Sequence, residues 1–304
     1  MLSLYKLEIF AAVVQAGSFS AAAQCLYMTQ PAVSQHMQDL EASLGTSLFN
    51  RGRRGVTLTA AGETLHDYTQ RILRLVAEAE SEVTNVENLI SGQITIGATP
   101  GVSVYLLPEW INSFRARYPS LNVVLQTDVT TKTVNGVLEN KLDIGFVEGE
   151  LERIQRKALN YLVLRPVNLF VIVSSEHEWV QRKQVAIQML DGQAFIARQP
   201  NSRTRVWMDS ILKAHDVSPR IVGEYDNQEA IKQSVMSNMG LTILPDYAVS
   251  RECDTGLLHA LSIENVPLQR QLKLIWNGNT SFTPVTRALL QHLAQTFPQL
   301  AELL

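Results

Sequence analysis

SFSAAAQCLYMTQPAVSQHMQDLEASLGTSLFNRGRRGVTL, residues 18 to 58, reads as two short helices joined by a tight turn and followed by a basic hairpin. Upstream of it, Leu7, Phe10, Val13 and Val14 recur at helical spacing, and Gly17 ends that first helix with a residue tolerant of positive φ. Ser20 is the expected N-cap of a second helix, Ala21 to Leu26. Thr29 is that of a third, whose first turn accepts Pro31 because the missing amide hydrogen has no helical partner there. Only Tyr27 and Met28 lie between the two. A buried helix, a turn this short and a displayed helix form the helix-turn-helix layout, which lays its second helix in the major groove of DNA.

On the third helix Val33, Met37, Leu40 and Leu44 share an inward stripe, while Pro31, Gln35 and Gln38, flanked by Ser34 and Asp39, face out. Amides and hydroxyls both donate and accept, which suits the mixed pattern on base edges; a merely solvated helix face is the alternative. Context favours the first. Leu48 to Arg51 and Val56 to Leu58 read as short strands joined by Gly52-Arg53-Arg54-Gly55, a turn fit to grip phosphate or enter the minor groove.

These residues resemble the LysR-type transcriptional regulators, and the likeness runs through LEIFAAVVQAGSFSAAAQCL, TQPAVSQHMQDLEASLGTSLFNR and LTAAGE. By position, the resemblance implies that Gln30, Pro31, Ser34, Gln35 and Arg51 approach DNA, with Arg53 and Arg54 on phosphates. It also implies a dimer of dimers. Residues 1 to 90 carry six Lys or Arg against nine Asp or Glu, so the region is not basic overall, but Asp67, Glu78, Glu80, Glu82 and Glu87 lie well beyond the hairpin. The positive field is local, and useful affinity is expected from several half-sites engaged together.

From Thr59, the expected cap, to Ile90 about 30 residues run without proline. Leu65, Tyr68, Ile72, Leu75, Ala79, Val83, Val86 and Ile90 follow steps of three and four, close to a coiled-coil seam. A second copy of the chain is the natural occupant, the chain's own second domain the alternative. After Ser91-Gly92 the period changes. Runs at Gln93 to Gly97, Asn122 to Gln126, Leu142 to Val147, Asn168 to Val173, Gln193 to Ala197, Arg220 to Gly223 and Leu241 to Leu244 read as buried strands. Helical segments separate them, near Leu106 to Arg117, Val134 to Lys141, Thr204 to Ala214 and Gln228 to Ser237. That alternation argues for parallel sheets covered by helices.

The expected fold class is therefore α/β with an all-α, winged N-terminal domain. Residues 1–58 form the winged helix-turn-helix, 59–91 the linker and dimerisation helix, and 92–304 the effector-binding domain. The resemblance implies two Rossmann-like lobes arranged as in a type II periplasmic binding protein, placed here at 93–164 plus 269–304 and at 165–268, with crossings near Leu164 and Leu268. A cleft between such lobes suits small anions. Two loops fit the role: Ala98 to Ser103, offering Thr99, Gly101 and Ser103, and Gln199 to Arg205, offering Gln199, Ser202 and Arg203, with Asn227 completing the hydrogen bonds. Helix capping without a ligand is the alternative for each loop. The loop reads RQPNSRTR where carbon- and sulfur-assimilation regulators usually read REPGSGTR, so Asn201 and Arg203 replace two glycines and the ligand of those relatives cannot simply be transferred. A small carboxylate or phosphorylated metabolite is expected as co-inducer, with no cofactor.

No apolar run of about 20 residues appears and the chain opens on an amphipathic helix, so no membrane span or export signal is expected and the location expected is cytoplasmic. Cys25 and Cys253 are too few for a disulfide framework or zinc motif, and Cys25 reads as a small buried residue. The histidines lack metal-ligand spacing, so no metal site is expected. An enzyme is the competing class, since Ser202, Arg203 and Asp226 could line a reactive cleft, but no nucleophile elbow, Walker loop or dinucleotide glycine pattern is present. A free-standing solute-binding protein would lack the first ninety residues and carry an export signal.

Overall fold

The computed structural model describes residues 2–52, 55–83, 92–151, 158–200 and 202–304. The chain divides into two compact units, residues 1–88 and 89–304. The first unit holds α1 (Leu4–Ala16), α2 (Phe19–Cys25), α3 (Gln30–Leu44), the hairpin β1 (Phe49–Gly52) and β2 (Gly55–Leu58), and α4 (Ala60–Val83). Gly17, at φ 67°, ends α1, and Gly45, at φ 68°, ends α3; both sit in the left-handed region that glycine enters at little cost. Ser18, not Ser20, caps α2: its extended backbone follows directly on the Gly17 reversal, and its hydroxyl accepts the Ala21 amide at 3.1 Å. Thr29 caps α3 as expected, accepting from the Ala32 amide.

Ile9, Phe10, Val13, Ala22, Ala23, Val33, Met37, Leu40, Leu48 and Phe49 form one buried cluster where the three helices meet the hairpin. Two expectations fail at its edge. Leu44 is 37% exposed because α3 has already ended its contact with the core, and Cys25 is exposed because Ala22 and Ala23 take the inward face of a helix only seven residues long. Thr59 closes the unit, donating its hydroxyl to the Ser47 carbonyl at 2.7 Å while accepting the Gly62 amide at 3.0 Å. A Cβ on Gly62 would run into the Leu48 carbonyl oxygen, which is backbone and cannot swing aside. Gly62→Ala is therefore expected to destabilise this unit by about 1–3 kcal/mol, read as a lower midpoint in urea unfolding of the full chain; an unchanged midpoint would show that α4 shifts freely.

The second unit is built on an eight-stranded sheet. In chain order its elements are β3 (Gly92–Ala98), α5 (Pro100–Tyr105), α6 (Leu107–Arg117), β4 (Leu121–Thr127), α7 (Thr130–Leu138), β5 (Ile144–Glu148) and β6 (Leu159–Ser174). Then come β7 (Gln184–Val185), a 3-10 turn at Ile187–Leu190, β8 (Ala194–Arg198), α8 (Arg203–Ala214), β9 (Arg220–Tyr225), α9 (Gln228–Met236), β10 (Thr242–Pro245) and α10 (Asp246–Asp254). β11 (Leu258–Ile263), β12 (Gln269–Asn277), α11 (Pro284–Leu293) and a 3-10 turn at Pro298–Leu303 complete it. The sheet is mixed, not parallel. β3 runs parallel to β4 and β5, but β12 pairs antiparallel with β5 and β6, and β10 and β11 antiparallel with β6, while β8 and β9 form a separate parallel pair.

The reason lies in β6, whose 16 residues serve both lobes. Leu159 to Asn168 lie against β12, and Leu169 to Ser174 against β10 and β11. Partners change between Asn168 and Leu169, a few residues beyond Leu164, which sits instead at a bulge where the register with β12 slips. The return at Leu268 is tied to the outward crossing by the Leu169 amide, 2.8 Å from the Leu268 carbonyl. Two strands crossing side by side in opposite directions must pair antiparallel, whatever the direction of the strands in each lobe.

Candidate functional site

The N-terminal half of α3 presents Gln30, Pro31 and Gln35 to solvent, with Ser34 half-buried beside them. The Gln35 amide nitrogen donates to Asp39 at 2.9 Å, and Lys6 lies 3.6 Å from the same carboxylate. Those contacts hold the Asp39 carboxyl below its usual range, the Gln35 hydrogen bond contributing most. With its nitrogen so engaged, exposed Gln35 keeps its side-chain carbonyl oxygen as an acceptor. A contact that residue-by-residue reading missed fixes the hairpin to this helix. Glu41 accepts from the amides of Leu48 and Phe49 at 2.7 and 3.3 Å, so the first strand departs from α3 at a set angle.

The hairpin pairs Phe49 with Leu58 through to Gly52 with Gly55. Arg51 contributes backbone to this ladder; its side chain, and all of Arg53 and Arg54, lie outside the described residues. On α4, Leu65 packs on the core of the first unit, while Tyr68, Ile72 and Leu75 are 55%, 37% and 65% exposed. Three apolar side chains thus stand in water at a spacing of four and three along one helix. The side chains of Ala79 and Val83, and the whole of Val86 and Ile90, lie outside the described residues.

In the second unit a small cavity, partly open to solvent, lies between the lobes. Thr99, Gly101, Thr130 and Glu148 line it from one lobe, Arg198, Ser202, Arg203, Thr204 and Gln228 from the other, and Arg270 from the returning strand. The ends of β3, β5 and β8 deliver Thr99, Glu148 and Arg198, as the geometry of α/β sheets predicts. Residues from the first turns of α8 and α9 also line it, near the positive ends of the two helix dipoles, and α8 starts without a side-chain cap.

Seven buried side-chain polar atoms among the described residues have no hydrogen-bond partner, and three of them belong to residues lining this cavity: Thr99 Oγ1, Arg198 Nη1 and Gln228 Oε1. Buried polar groups are normally satisfied, so such a concentration marks a place for something else to bond. Burial pushes the Arg198 pKa down, while Asp226 pushes it back up. Arg270, 7% exposed, is by contrast committed: it donates to Thr204 Oγ1 at 2.7 Å and to the Glu148 carbonyl at 3.2 Å, and lies over the Trp207 ring. Burial raises the Glu148 carboxyl, with the Tyr247 hydroxyl donating to it and Arg270 opposing the shift. The cavity thus joins one unsatisfied cation and a free hydroxyl to one unsatisfied acceptor.

Of the residues expected at the cleft, Thr99, Gly101, Ser202 and Arg203 line the cavity. Ser103, Gln199 and Asn227 do not. Ser103 shares a hydrogen with Thr127 at 2.5 Å, the Gln199 amide pairs with the Tyr225 carbonyl, and Asn227 caps α9 by accepting the Glu229 amide at 2.8 Å. Arg205 turns away onto Asp209 and Glu224. Arg198, Gln228, Glu148 and Arg270 escaped notice, although a polar residue closing an apolar strand, as at Glu148 and Arg198, was a usable signal. Among the described residues no helix is long and apolar enough to cross a membrane, and no cluster of His, Cys, Asp and Glu could hold a metal ion.

Residues 4–63 match the model of the bacterial regulatory helix-turn-helix protein, lysR family, and residues 87–298 that of the LysR substrate binding domain. A probable RuBisCO transcriptional regulator of Gracilaria tenuistipitata var. liui is 35% identical over 280 residues, 91% of each chain. Among solved structures, full-length CbnR complexed with its target DNA superposes with a TM-score of 0.68 at 20% identity, covering 97% of this chain and all of that one (100%). The regulatory domain of Synechocystis CcmR in complex with 2-PG superposes with a TM-score of 0.62 at 24% identity, covering 68% of this chain and 97% of that one.

Proposed function

The chain belongs to the LysR family, whose members are DNA-binding transcriptional regulators with an effector-binding domain rather than enzymes, and from that premise we propose a cytoplasmic homo-oligomer that reads promoter DNA and answers to a small organic anion. In this reading residues 1–58 meet DNA, 59–91 pair two copies through the Tyr68, Ile72 and Leu75 face, and 92–304 hold the effector. Pairing of dimers into a tetramer brings further half-sites into reach. Gln30, Pro31, Ser34 and Gln35 approach base edges, and Arg51, Arg53 and Arg54 serve the backbone.

The observation that carries the effector reading is the convergence of Thr99 Oγ1, Arg198 Nη1 and Gln228 Oε1, each buried and unpartnered, on one cavity. Arg198 and Thr99 call for an anion, and Gln228 Oε1 calls for a donor on the same molecule. The effector class is therefore a carboxylate or phosphate ester that also bears a hydroxyl or a protonated acid group. Such a ligand bridges the lobes, since Thr99 belongs to one and Arg198 to the other. Closure then shifts the spacing of reading helices only to the extent that the closed arrangement binds the anion more tightly than the open one.

Carbon-fixation promoters are the first operators to try, given what the relative is named for. Footprinting on such a fragment, with and without 2-PG and related hydroxylated or phosphorylated two- and three-carbon acids, tests the whole reading. A sequence-specific footprint whose length or bend changes with one of these acids is the expected result; a footprint indifferent to every one would sink the effector half. Gln35→Ala is expected to cost about 1–3 kcal/mol of discrimination between the operator and a mutated copy, measured by competition, with the oligomer intact. Leu75→Glu should do the reverse, splitting the dimer in sedimentation while leaving each α3 folded.

A further inference from the structure

Tyr27 is 99% exposed and holds a left-handed backbone, φ 53°, in the turn between α2 and α3. Neither property serves the fold. The left-handed region disfavours side chains with a Cβ and is met at less cost by glycine or asparagine, and the backbone bond that Tyr27 makes, from its amide to the Gln24 carbonyl, needs no particular side chain. A ring so exposed contributes nothing to the core. Its neighbours hold it outward: Leu26 and Met28 pack against the buried cluster of the first unit, and Met28 also accepts the Tyr5 hydroxyl at 3.6 Å.

The position is informative. Tyr27 precedes by two residues Thr29, the cap of α3, and is continuous with exposed Gln30 and Pro31. When the start of a reading helix enters the major groove, the turn before it comes alongside a sugar-phosphate strand at the groove's edge. Tyrosine hydroxyls are among the groups that bond phosphate oxygens there. We infer that Tyr27 is a positioning contact to the DNA backbone, its hydroxyl donating to a phosphate oxygen and its ring covering the adjacent deoxyribose. The contact is uncharged, so it adds affinity for any sequence without releasing a counterion. That suits a reading domain whose positive charge is confined to a few residues, Lys6, Arg51, Arg53 and Arg54.

The inference rests on α3 being the DNA reader, and the test separates the two. Full-length protein is titrated, at several salt concentrations, against a random-sequence duplex of about 40 base pairs and against the operator, using Tyr27→Gly and Tyr27→Phe. Glycine is expected to lower affinity for both duplexes alike, by about tenfold for each reading helix engaged, and phenylalanine by about threefold. The slope of log affinity against log salt should stay at the wild-type value, whereas losing a wing arginine lowers it by about one. The thermal midpoint of Tyr27→Gly should equal or exceed that of the wild type, because glycine accepts the left-handed turn. Undiminished affinity of the glycine variant, or a fallen midpoint revealing a structural role, would overturn the contact. Wild-type protein that binds neither duplex would overturn the DNA-reading assignment itself.

Discussion

Arg198→Ala is expected to weaken effector binding by about 2–5 kcal/mol, thirtyfold or more, while ligand-free protein binds DNA as before. Arg198 is half-buried at the end of β8 and its Nη1 is buried without a hydrogen-bond partner, so removal breaks no hydrogen bond at that atom and gives up the charge attraction of Asp226. The unliganded second unit should accordingly be as stable as the wild type, or slightly more so, since burial already penalises this cation. Thermal-shift titration with 2-PG and with hydroxylated small acids reads both quantities in one experiment. Arg198→Lys separates charge from shape: a lysine keeps the cation but loses the planar fork, and an intermediate affinity is expected. Arg205→Ala is the control, because Arg205 already spends its donors on Asp209, Glu224 and the Arg198 carbonyl. If Arg205→Ala abolished the response and Arg198→Ala did not, the assignment of the anion pole would be wrong.

Lys232→Met should lower the stability of the second unit by about 3 kcal/mol. Lys232 is 3% exposed on α9, its ammonium 2.8 Å from Glu252 and 3.0 Å from Glu229, and 4.9 Å from the centre of the Tyr105 ring. Tyr105 comes from the other lobe and donates its hydroxyl to Glu229 at 2.5 Å, so the cation sits at the centre of a cluster that joins the lobes. Partial burial works to raise the Glu229 carboxyl, but the Tyr105 hydroxyl and Lys232 together hold it below its usual range. Without the lysine, Glu252, 16% exposed and with Oε2 already lacking a partner, keeps a charge that nothing neutralises. A fall in melting temperature of roughly 6–12 °C follows for a unit of this size. Lys232→Met combined with Glu252→Leu should recover most of the loss, since removing a buried pair together is far less costly than removing one partner. Equal damage from the single and double variants would place the loss in packing rather than charge.

How far the chain could be read in advance depended on the range of the interaction concerned. Gly17, Thr29, Pro31 and Gly45 each act on backbone within one helical turn, so three helices and their order were legible from residue type and spacing. The Ser18 cap was missed because two serines both suited the role, and the choice fell to the reversal imposed by the preceding glycine. Leu44 was assigned to the interior by period and Cys25 by residue type, and neither signal says where a neighbouring element stops. The α4 stripe was legible for the opposite reason: its period continues where the core of the first unit no longer covers it.

The cavity divides in the same way. Thr99, Gly101, Ser202 and Arg203 belong to strand-to-helix loops whose composition announces them, while Ser103, Gln199 and Asn227 from the same stretches spend their bonds on the local fold. Glu148, Gln228 and Arg270 reach the cavity only after two strands have crossed between the lobes, which brings residues more than a hundred positions apart to one place, as where Arg270 meets the Glu148 carbonyl. The residue sequence by itself determined the DNA-reading helices, the apolar stripe of the linker and the succession of strands and helices in the effector domain, because each follows from propensities and periods acting over a few residues. Only the tertiary structure decided the mixed direction of the sheet, the point where β6 changes lobes, and which polar atoms are left without partners around the cavity. Those depend on pairings between distant segments, and no local preference of the chain encodes them.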